Sequence, residues 1–383
     1  MSRICVDLTA NQTFDRHGGI GKYGWYLLEG LVQCDAAISG RVTLSALRHV
    51  DGPVLPAAQA LAHRGLDEPL LPMDPWKRRR AWRMGQVLRG QVDLFHAVQP
   101  AALPLVRGFK VISTIHDIIP LVWPDSTGSA LRRAERRGRN LVRWKQRTSG
   151  ADALIAISAR TAADMQQELG VSADKVSVVH HGVDRARFFV EPDPQSVRVR
   201  LGLPERYFVS VGSDHPRKNQ EALLQAFVSV ADQIPDSLVL VGRSLYGTIL
   251  PGLIQRAAEA GLADRVIWRQ DIEDADLPGV YTASRAALAP SLYEGFGMTL
   301  LEGMACGAPV AAAMNGAHEE VAADAALWFD GRSVASTADT LLRLSTDDGL
   351  VADLKRRGVD RIRELTWRQC AEHTMAAYLK ALA

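Results

Sequence analysis

Short runs of Val, Ile, Leu and Ala recur along the chain, separated by longer stretches with helically spaced apolar positions. Arg3–Leu8, Val42–Leu47, Leu94–Ala97, Lys110–Ile115, Ala153–Ile157 and Val176–Val179 read as strands, followed by Tyr207–Val211, Ser237–Val241, Val266–Trp268, Ala286–Ala289 and Val310–Ala313. Most are apolar at nearly every position, as in strands buried on both faces. Helical patterns lie between them, as at Thr161–Leu169, Gln220–Gln233 and Leu253–Ala260. Such alternation predicts an α/β chain with doubly wound parallel sheets.

The pattern runs once to about Val183 and restarts at Tyr207. Between them, FFVEPDPQSVRVRLGLP holds prolines and acidic residues and no strand pattern, so it reads as an interdomain connection. We therefore expect one Rossmann-like domain over 1–187, a second over 188–366, and a C-terminal helix over 367–383. That helix has apolar positions at Cys370, Met375, Tyr378 and Leu382 and is expected to pack back on the first domain. Open α/β sheets take ligands at the carboxyl ends of their strands, and a cleft between two such domains is the expected site.

Composition narrows the class. At 383 residues, 47% hydrophobic and 23% charged, the chain fits an ordinary globular protein long enough to bury a core without disulfides. Its four cysteines (Cys5, Cys34, Cys306 and Cys370) form no C-x-x-C pair, which argues against both a metal site and a disulfide framework. Asp7 interrupts the apolar run a signal peptide would need, and no segment has the length of a membrane span, so a cytoplasmic location is expected. The net charge of +2 hides an asymmetry, for residues 1–185 carry +8 and residues 186–383 carry −6.

The richest chemistry lies in SLYEGFGMTLLEGMACGAPV, residues 291–310, which follows the strand Ala286–Ala289. Its glycine-rich turn leads into a helix expected near Met298, and the free N–H groups of such a start attract an anion. Glu294 precedes the helix and Glu302 falls within its early turns, where carboxylates accept hydrogen bonds from vicinal diols. Taken singly, Glu302 would serve the helix dipole and Glu294 would be a solvated loop residue. Together, a phosphate site between two diol-binding carboxylates describes a nucleotide sugar.

Glu294 and Glu302 bracket seven residues, and EGFGMTLLEGMACGAPV resembles the E-x7-E segment of the retaining glycosyltransferases of GT-B fold, family 4. The resemblance implies two Rossmann-like domains facing across a cleft. It assigns Glu294 to the donor sugar, Glu302 to the nucleotide ribose, and the backbone of Gly295, Phe296, Gly297, Met298 and Thr299 to the diphosphate. Other segments agree in order. Gly212-Ser213-Asp214-His215-Pro216-Arg217-Lys218-Asn219 is similar to the family's G-x-x-x-P-R-K-N element, which implies that Arg217 and Lys218 neutralise the diphosphate. Ser213 stands where some relatives carry a further Arg. Gly18, Gly19 and Gly21 resemble the family's first donor loop, where glycine lets backbone approach a ligand. His116, before Asp117, resembles a histidine beside the donor hexose.

The base pocket matches less closely, because Trp268-Arg269-Gln270-Asp271-Ile272 lacks the family's glycine; the resemblance leaves Ile272 beside the base. Ser158 reads as a helix N-cap. Asp274-Ala-Asp276 has the form of a metal motif, but in DADLPGVY it reads as a helix start. No metal and no cofactor are assigned, the nucleotide sugar being a substrate. The implied reaction is substitution at the anomeric carbon with retention, by front-face attack, since no carboxylate of the first domain stands out as a nucleophile.

The segments GIGKYGWYLLEG, TIHDIIPLVWPD and VGSDHPRKNQEALLQAF most resemble bacterial mannosyl- and rhamnosyltransferases. They favour GDP-mannose as donor and a saccharide or lipid-linked saccharide as acceptor, in polysaccharide or O-antigen assembly. A UDP- or dTDP-sugar with glucosyl or rhamnosyl transfer, an epimerase of the same fold, and a non-catalytic nucleotide-sugar binder are the alternatives. Trp76–Arg83 and Leu131–Arg147 are strongly basic. They read either as solvated helix faces or, through Lys77–Arg83 and Arg132–Arg147, as peripheral contacts with an anionic inner membrane face. The chain has no recognisable nucleic-acid module.

Overall fold

A computed structural model of the chain describes residues 1–9, 19–49, 62–66, 77–100, 103–123, 129–244 and 249–383. It divides into two compact units, Met1–Gly182 with Thr366–Ala383, and Val183–Leu365. In the first, β1 (Ser2–Asp7), β2 (Val42–His49), β3 (Ala62–Leu66), β4 (Leu94–Ala97), β5 (Lys110–Ile115), β6 (Ala153–Ala156) and β7 (Val176–Val178) form a parallel sheet in the order β3-β2-β1-β4-β5-β6-β7. In the second, β8 (Tyr207–Val211), β9 (Ser237–Val241), β10 (Val266–Arg269), β11 (Ala286–Ala289), β12 (Val310–Ala313) and β13 (Ala326–Phe329) follow the order β10-β9-β8-β11-β12-β13. Each order reverses once, between β1 and β4 and between β8 and β11, which makes both sheets Rossmann-like and doubly wound.

The apolar runs are continuous because helices cover both faces. In β1, Ile4 and Val6 join Leu27, Leu28 and Leu31 of the helix Gly19–Val32, together with Met375 and Tyr378 of the helix Trp367–Leu382. Cys5, pointing the opposite way, joins Phe95, Met84, Leu88 and Trp144. In the second unit Phe208, Leu240 and Leu288 pack on Leu223, Leu224 and Phe227 of the helix Gln220–Val230. The four cysteines are buried and form no disulfide with one another.

Three features depart from the sequence pattern. β3 and β13 are strands absent from the sequence reading: β3 is polar and lies at a sheet edge, where a continuous apolar run is not required, whereas β13, Ala-Leu-Trp-Phe, is apolar throughout and is legible as a strand. The connecting segment contains the helix Pro194–Arg200, capped by Asp193 Oδ1, which accepts from Ser196 N–H at 3.1 Å. This helix packs on Leu277–Ala283, so closely that a Cβ on Gly279 would stand 2.5 Å from Val197 Cγ1. The division between units also falls before 187/188 and 366/367, at Gly182/Val183 and Leu365/Thr366. Val183 N–H donates to Leu365 O at 3.1 Å, and Arg187 pairs with Asp274, which ties residues 183–187 to the second unit.

The helix Trp367–Leu382 belongs to the first unit and opens with a capping box between Thr366 and Gln369. A Cβ on Gly182 would meet Trp367 N at 2.1 Å, and one on Gly30 would meet Ala371 Cβ at 2.6 Å. Backbone and helix approach too closely there for any side chain.

Of the basic segments, Lys77–Leu88 and Ala130–Ser149 are helices. The second buries Trp144 and Thr148 and exposes Leu131 and Val142 among its arginines. Trp82 is exposed, whereas Trp76 lies outside the described residues. Among the described residues no helix is long and apolar enough to cross a membrane.

Candidate functional site

The reversal between β8 and β11 brings together the two loops with the richest chemistry. After Val211 the chain passes Gly212, whose N–H donates to Val241 O at 2.8 Å, and reaches the turn Pro216–Lys218. Asn219 follows with φ 57° and donates from Nδ2 to Pro290 O (3.2 Å) and Gly331 O (2.7 Å). Leu292 N–H donates to Arg217 O at 2.8 Å. The loop after β8 is thus stitched to the loop after β11. Gly242 supports it from the next strand: a Cβ there would lie 2.0 Å from Gly212 O.

On this frame Arg217 and Lys218 converge on Glu294. Arg217 Nη1 donates to Glu294 Oε2 at 2.8 Å and to Tyr293 O at 3.1 Å, while Lys218 Nζ donates to Glu294 Oε1 at 2.5 Å. Their side chains are only 13–16% exposed. Burial pushes the Glu294 carboxyl upward, but the charges of Lys218 and Arg217 outweigh it and hold the group at about 2. The trio keeps a net positive charge, and Arg217 Nε is buried with no acceptor. Positive charge and an unspent donor at a sheet switch point suit a bound anion.

The glycine-rich turn behaves as its sequence predicts. Gly297 adopts φ 118°, the helix Met298–Ala305 begins immediately after it, and no side chain caps that start. Gly295, Phe296 and Gly297 are buried, while Met298 and Thr299 are partly exposed. Glu302 lies along this helix, partly buried, and its charge helps raise the Tyr281 hydroxyl and the Cys306 thiol beyond the effect of burial.

Two residues that the sequence reading passed over complete this end of the sheet. Asn315 Nδ2 donates to Ser291 O at 2.9 Å, and its Oδ1 accepts from His318 N–H at 3.0 Å. His318 is 1% exposed, with Nδ1 2.9 Å from Ala313 O and 3.1 Å from Asn315 Nδ2. Burial lowers its pKa, and Glu294 works in the opposite direction. Its ring edge lies below Gly297, where a Cβ would come within 3.0 Å of His318 Cδ2. A lone His after Asn-Gly carries no sequence signal; only the fold brings it under the turn.

Beyond β9 and β10, Ser244 Oγ donates to the fully buried Asp214 at 2.6 Å, and Gln270 Oε1 accepts from Ser244 N–H at 3.3 Å. Ile272 is partly buried in the same loop region, after the pair Arg269–Asp271. The acidic motif is divided between structural partners, Asp276 with Arg200 at 2.7 Å and Asp274 with Arg187. The helix Leu277–Ala283 follows directly.

In the first unit His116 directly follows β5. Its Nε2–H donates to Val98 O at 2.9 Å, leaving Nδ1 as the acceptor. Burial lowers its pKa to about 4, so the ring is neutral near pH 7. Tyr23 meets it edge-on, with centroids 4.9 Å apart and planes at 85°. Asp117 turns away from this chemistry, its Oδ1 accepting from Ile119 N–H at 3.0 Å. Gly19 opens the helix Gly19–Val32 and Gly21 sits in its first turn; Gly18 lies outside the described residues. Ser158 caps its helix, accepting from Thr161 N–H at 3.0 Å.

Residues 195–361 match the family model described as glycosyl transferases group 1, and residues 17–187 match glycosyltransferase family 4. The chain is 30% identical over 404 residues to a D-inositol 3-phosphate glycosyltransferase of Streptomyces avermitilis, covering 95% of this chain and 83% of that protein. A protein of the same name from Salinispora arenicola is 32% identical over 69% of this chain, a match spanning 64% of that relative's length. The O-antigen chain mannosyltransferase B of Escherichia coli is 26% identical over 79% of this chain and 77% of that protein. Among solved structures, sucrose-phosphate synthase from Thermosynechococcus elongatus superposes with TM-score 0.74 at 20% identity, over 99% of both chains. Anabaena HepE in complex with UDP and glucose gives 0.72 at 18% identity, over 100% of both. At these identities the structural likeness is one of fold.

Proposed function

The chain belongs to the GT-B-fold glycosyltransferases of family 4, and from that premise we propose that it moves a mannosyl unit from GDP-mannose to a saccharide or lipid-linked saccharide acceptor, with retention and without a metal. The observation that carries the donor site is the convergence of Arg217 and Lys218 on Glu294, with positive charge and a buried guanidinium donor to spare. A diphosphate supplies the acceptors these cations lack. As the bond to the anomeric carbon breaks, negative charge grows on the leaving phosphate. Donors already fixed in a partly dry site meet it without reorganisation, usually the largest contribution of such a site.

Glu294 then plays two parts. Its carboxylate holds the two cations in place, and, being ionised, it accepts hydrogen bonds from sugar hydroxyls. The backbone of Gly295–Thr299 faces the phosphates, Glu302 takes the ribose, and Ile272 lies by the base. His116 accepts through Nδ1 from a hydroxyl of the transferred hexose, and Gly18, Gly19 and Gly21 border the donor. The mannosyl assignment draws on the resemblance and on the O-antigen mannosyltransferase relative. The relatives named D-inositol 3-phosphate glycosyltransferases favour a second reading, in which the acceptor is a small phosphorylated polyol. For a lipid-linked acceptor, the basic helices Lys77–Leu88 and Ala130–Ser149 provide contacts for an anionic headgroup layer.

The test is a thermal-shift panel of GDP, UDP, ADP and dTDP sugars, followed by transfer assays with lipid-linked saccharide and inositol phosphate acceptors. GDP-mannose is expected to stabilise the protein most, and Lys218→Ala and Glu294→Ala to abolish turnover while circular dichroism stays native. Full activity in both variants refutes the site; stabilisation by another sugar nucleotide refutes the donor.

A further inference from the structure

One buried polar assembly in the first unit has no place in the donor chemistry. Tyr378 OH lies 2.6 Å from His96 Nδ1, His96 Nε2 lies 2.8 Å from Thr114 Oγ1, and Thr114 Oγ1 lies 2.9 Å from Tyr23 OH. All four residues are at most 1% exposed, and Tyr23 and Tyr378 sit among the Leu and Val side chains of the core. Polar groups in such surroundings are costly unless fully paired, and a paired network holds its members in one arrangement. We propose that Tyr378, His96 and Thr114 are positioning residues for the reaction, a buried hydrogen-bonded chain through which the helix Trp367–Leu382 fixes Tyr23 against the imidazole of His116.

Counting hydrogens limits how the chain can run. Burial keeps His96 neutral, with its pKa lowered to about 3, so its ring has one N–H and one lone pair. Each of the four groups therefore brings one hydrogen to three links. If Nδ1–H donates to Tyr378, then Thr114 must donate to Nε2, its one hydrogen is spent, and Tyr23 must donate to Thr114. If Tyr378 donates to Nδ1, then Nε2–H donates to Thr114, whose hydroxyl can either donate to Tyr23 or accept from it. The link to Tyr378 is thus coupled to the His96 tautomer, and the tautomer limits how the Tyr23 hydroxyl is held.

Tyr23 in turn walls His116. Its ring presents an edge geometry to His116 (4.9 Å, 85°) and stacks on His181 (4.8 Å, 27°). His181 lies 5.4 Å from Trp367, the first residue of the same helix, and 5.5 Å from His116. A Tyr23 released from Thr114 would leave His116 held at Nε2 by Val98 O and flanked by His181, with the Tyr23 wall loosened and its accepting Nδ1 able to tilt.

This inference rests on the assignment of His116 to the sugar, so its test has an arm that needs no donor. Long-range 1H–15N spectra of the full chain, with His116 identified by its loss in His116→Gln, are expected to show a single Nε2–H tautomer. Tyr378→Phe and Thr114→Val should shift or broaden those signals, and Thr114→Ser, which keeps the hydroxyl, should restore them. With the donor that the panel identifies, the first two variants should lose about tenfold in kcat, with donor KM within about twofold of wild type, and Thr114→Ser should recover. Wild-type His116 signals in both Tyr378→Phe and Thr114→Val, accompanied only by lower melting temperatures, overturn the proposal. Should Tyr378→Phe not fold, the comparison of Thr114→Val with Thr114→Ser decides in the same way.

Discussion

Glu294→Gln keeps the shape of the side chain and removes its charge, so it isolates what the carboxylate contributes to the resting protein. The group ordinarily titrates at 4.5 and is held at about 2. A carboxyl lowered that far contributes about 3 kcal/mol of folding stability at pH 7. The sign follows from the lowered value: the contribution is complete above pH 4.5, declines as the pH falls, and is gone below about 2. Glutamine retains one acceptor for Lys218 or Arg217 but leaves both cations without their counter-charge, so the full penalty is expected at neutral pH. Urea unfolding of wild type and Glu294→Gln from pH 7 to pH 3 measures it. The two stabilities should differ by about 3 kcal/mol at pH 7 and converge on acidification. A difference that is small at pH 7, or that stays constant down to pH 3, refutes the electrostatic account of the trio.

Two other outcomes follow from close approach and from burial. Gly242→Ala places a Cβ 2.0 Å from Gly212 O at φ 150°, so the loop bearing Arg217 and Lys218 must move; sugar-nucleotide binding is expected to fall at least tenfold in calorimetric titration, roughly the cost of one lost charge-assisted hydrogen bond. His116, with its pKa lowered to about 4, is expected to show no titration between pH 5 and 8 by NMR; a protonation step in that window contradicts its assignment as a neutral acceptor.

The central strands were legible because burial on both faces leaves a nearly unbroken apolar run, as in Ser237–Val241 and Ala286–Ala289. β3, with His63, Arg64 and Gly65, lacks that signature because an edge strand has one unpaired side. The helix Pro194–Arg200 was hidden by the prolines around it, although Asp193 followed by Pro194 is itself a helix start. Arg217, Lys218 and Glu294 were visible from local motifs, but as two separate functions, a cationic clamp for the diphosphate and a carboxylate for the sugar. That they form one ion cluster depends on β8 and β11 being neighbours despite 76 residues of separation. Asn315, His318 and Asp214 carried no local signal, since a single polar loop residue gains meaning only from the loops folded against it. The link between Tyr378 and His96 spans 282 positions and could not be read from spacing at all.

The first unit is interrupted in sequence: its strands are encoded before residue 183, yet one of the helices covering its sheet begins only at Trp367. During synthesis the second unit, being contiguous, emerges whole and can fold while the first still lacks that cover. Ile4, Leu27 and Leu31 then wait with an apolar face open until Ala371, Met375 and Tyr378 leave the ribosome. Stalled or prematurely terminated chains therefore carry a finished second unit beside a sticky, unfinished first one. The interval between the emergence of residue 183 and that of residue 382 is thus one in which the first unit is open to wrong association.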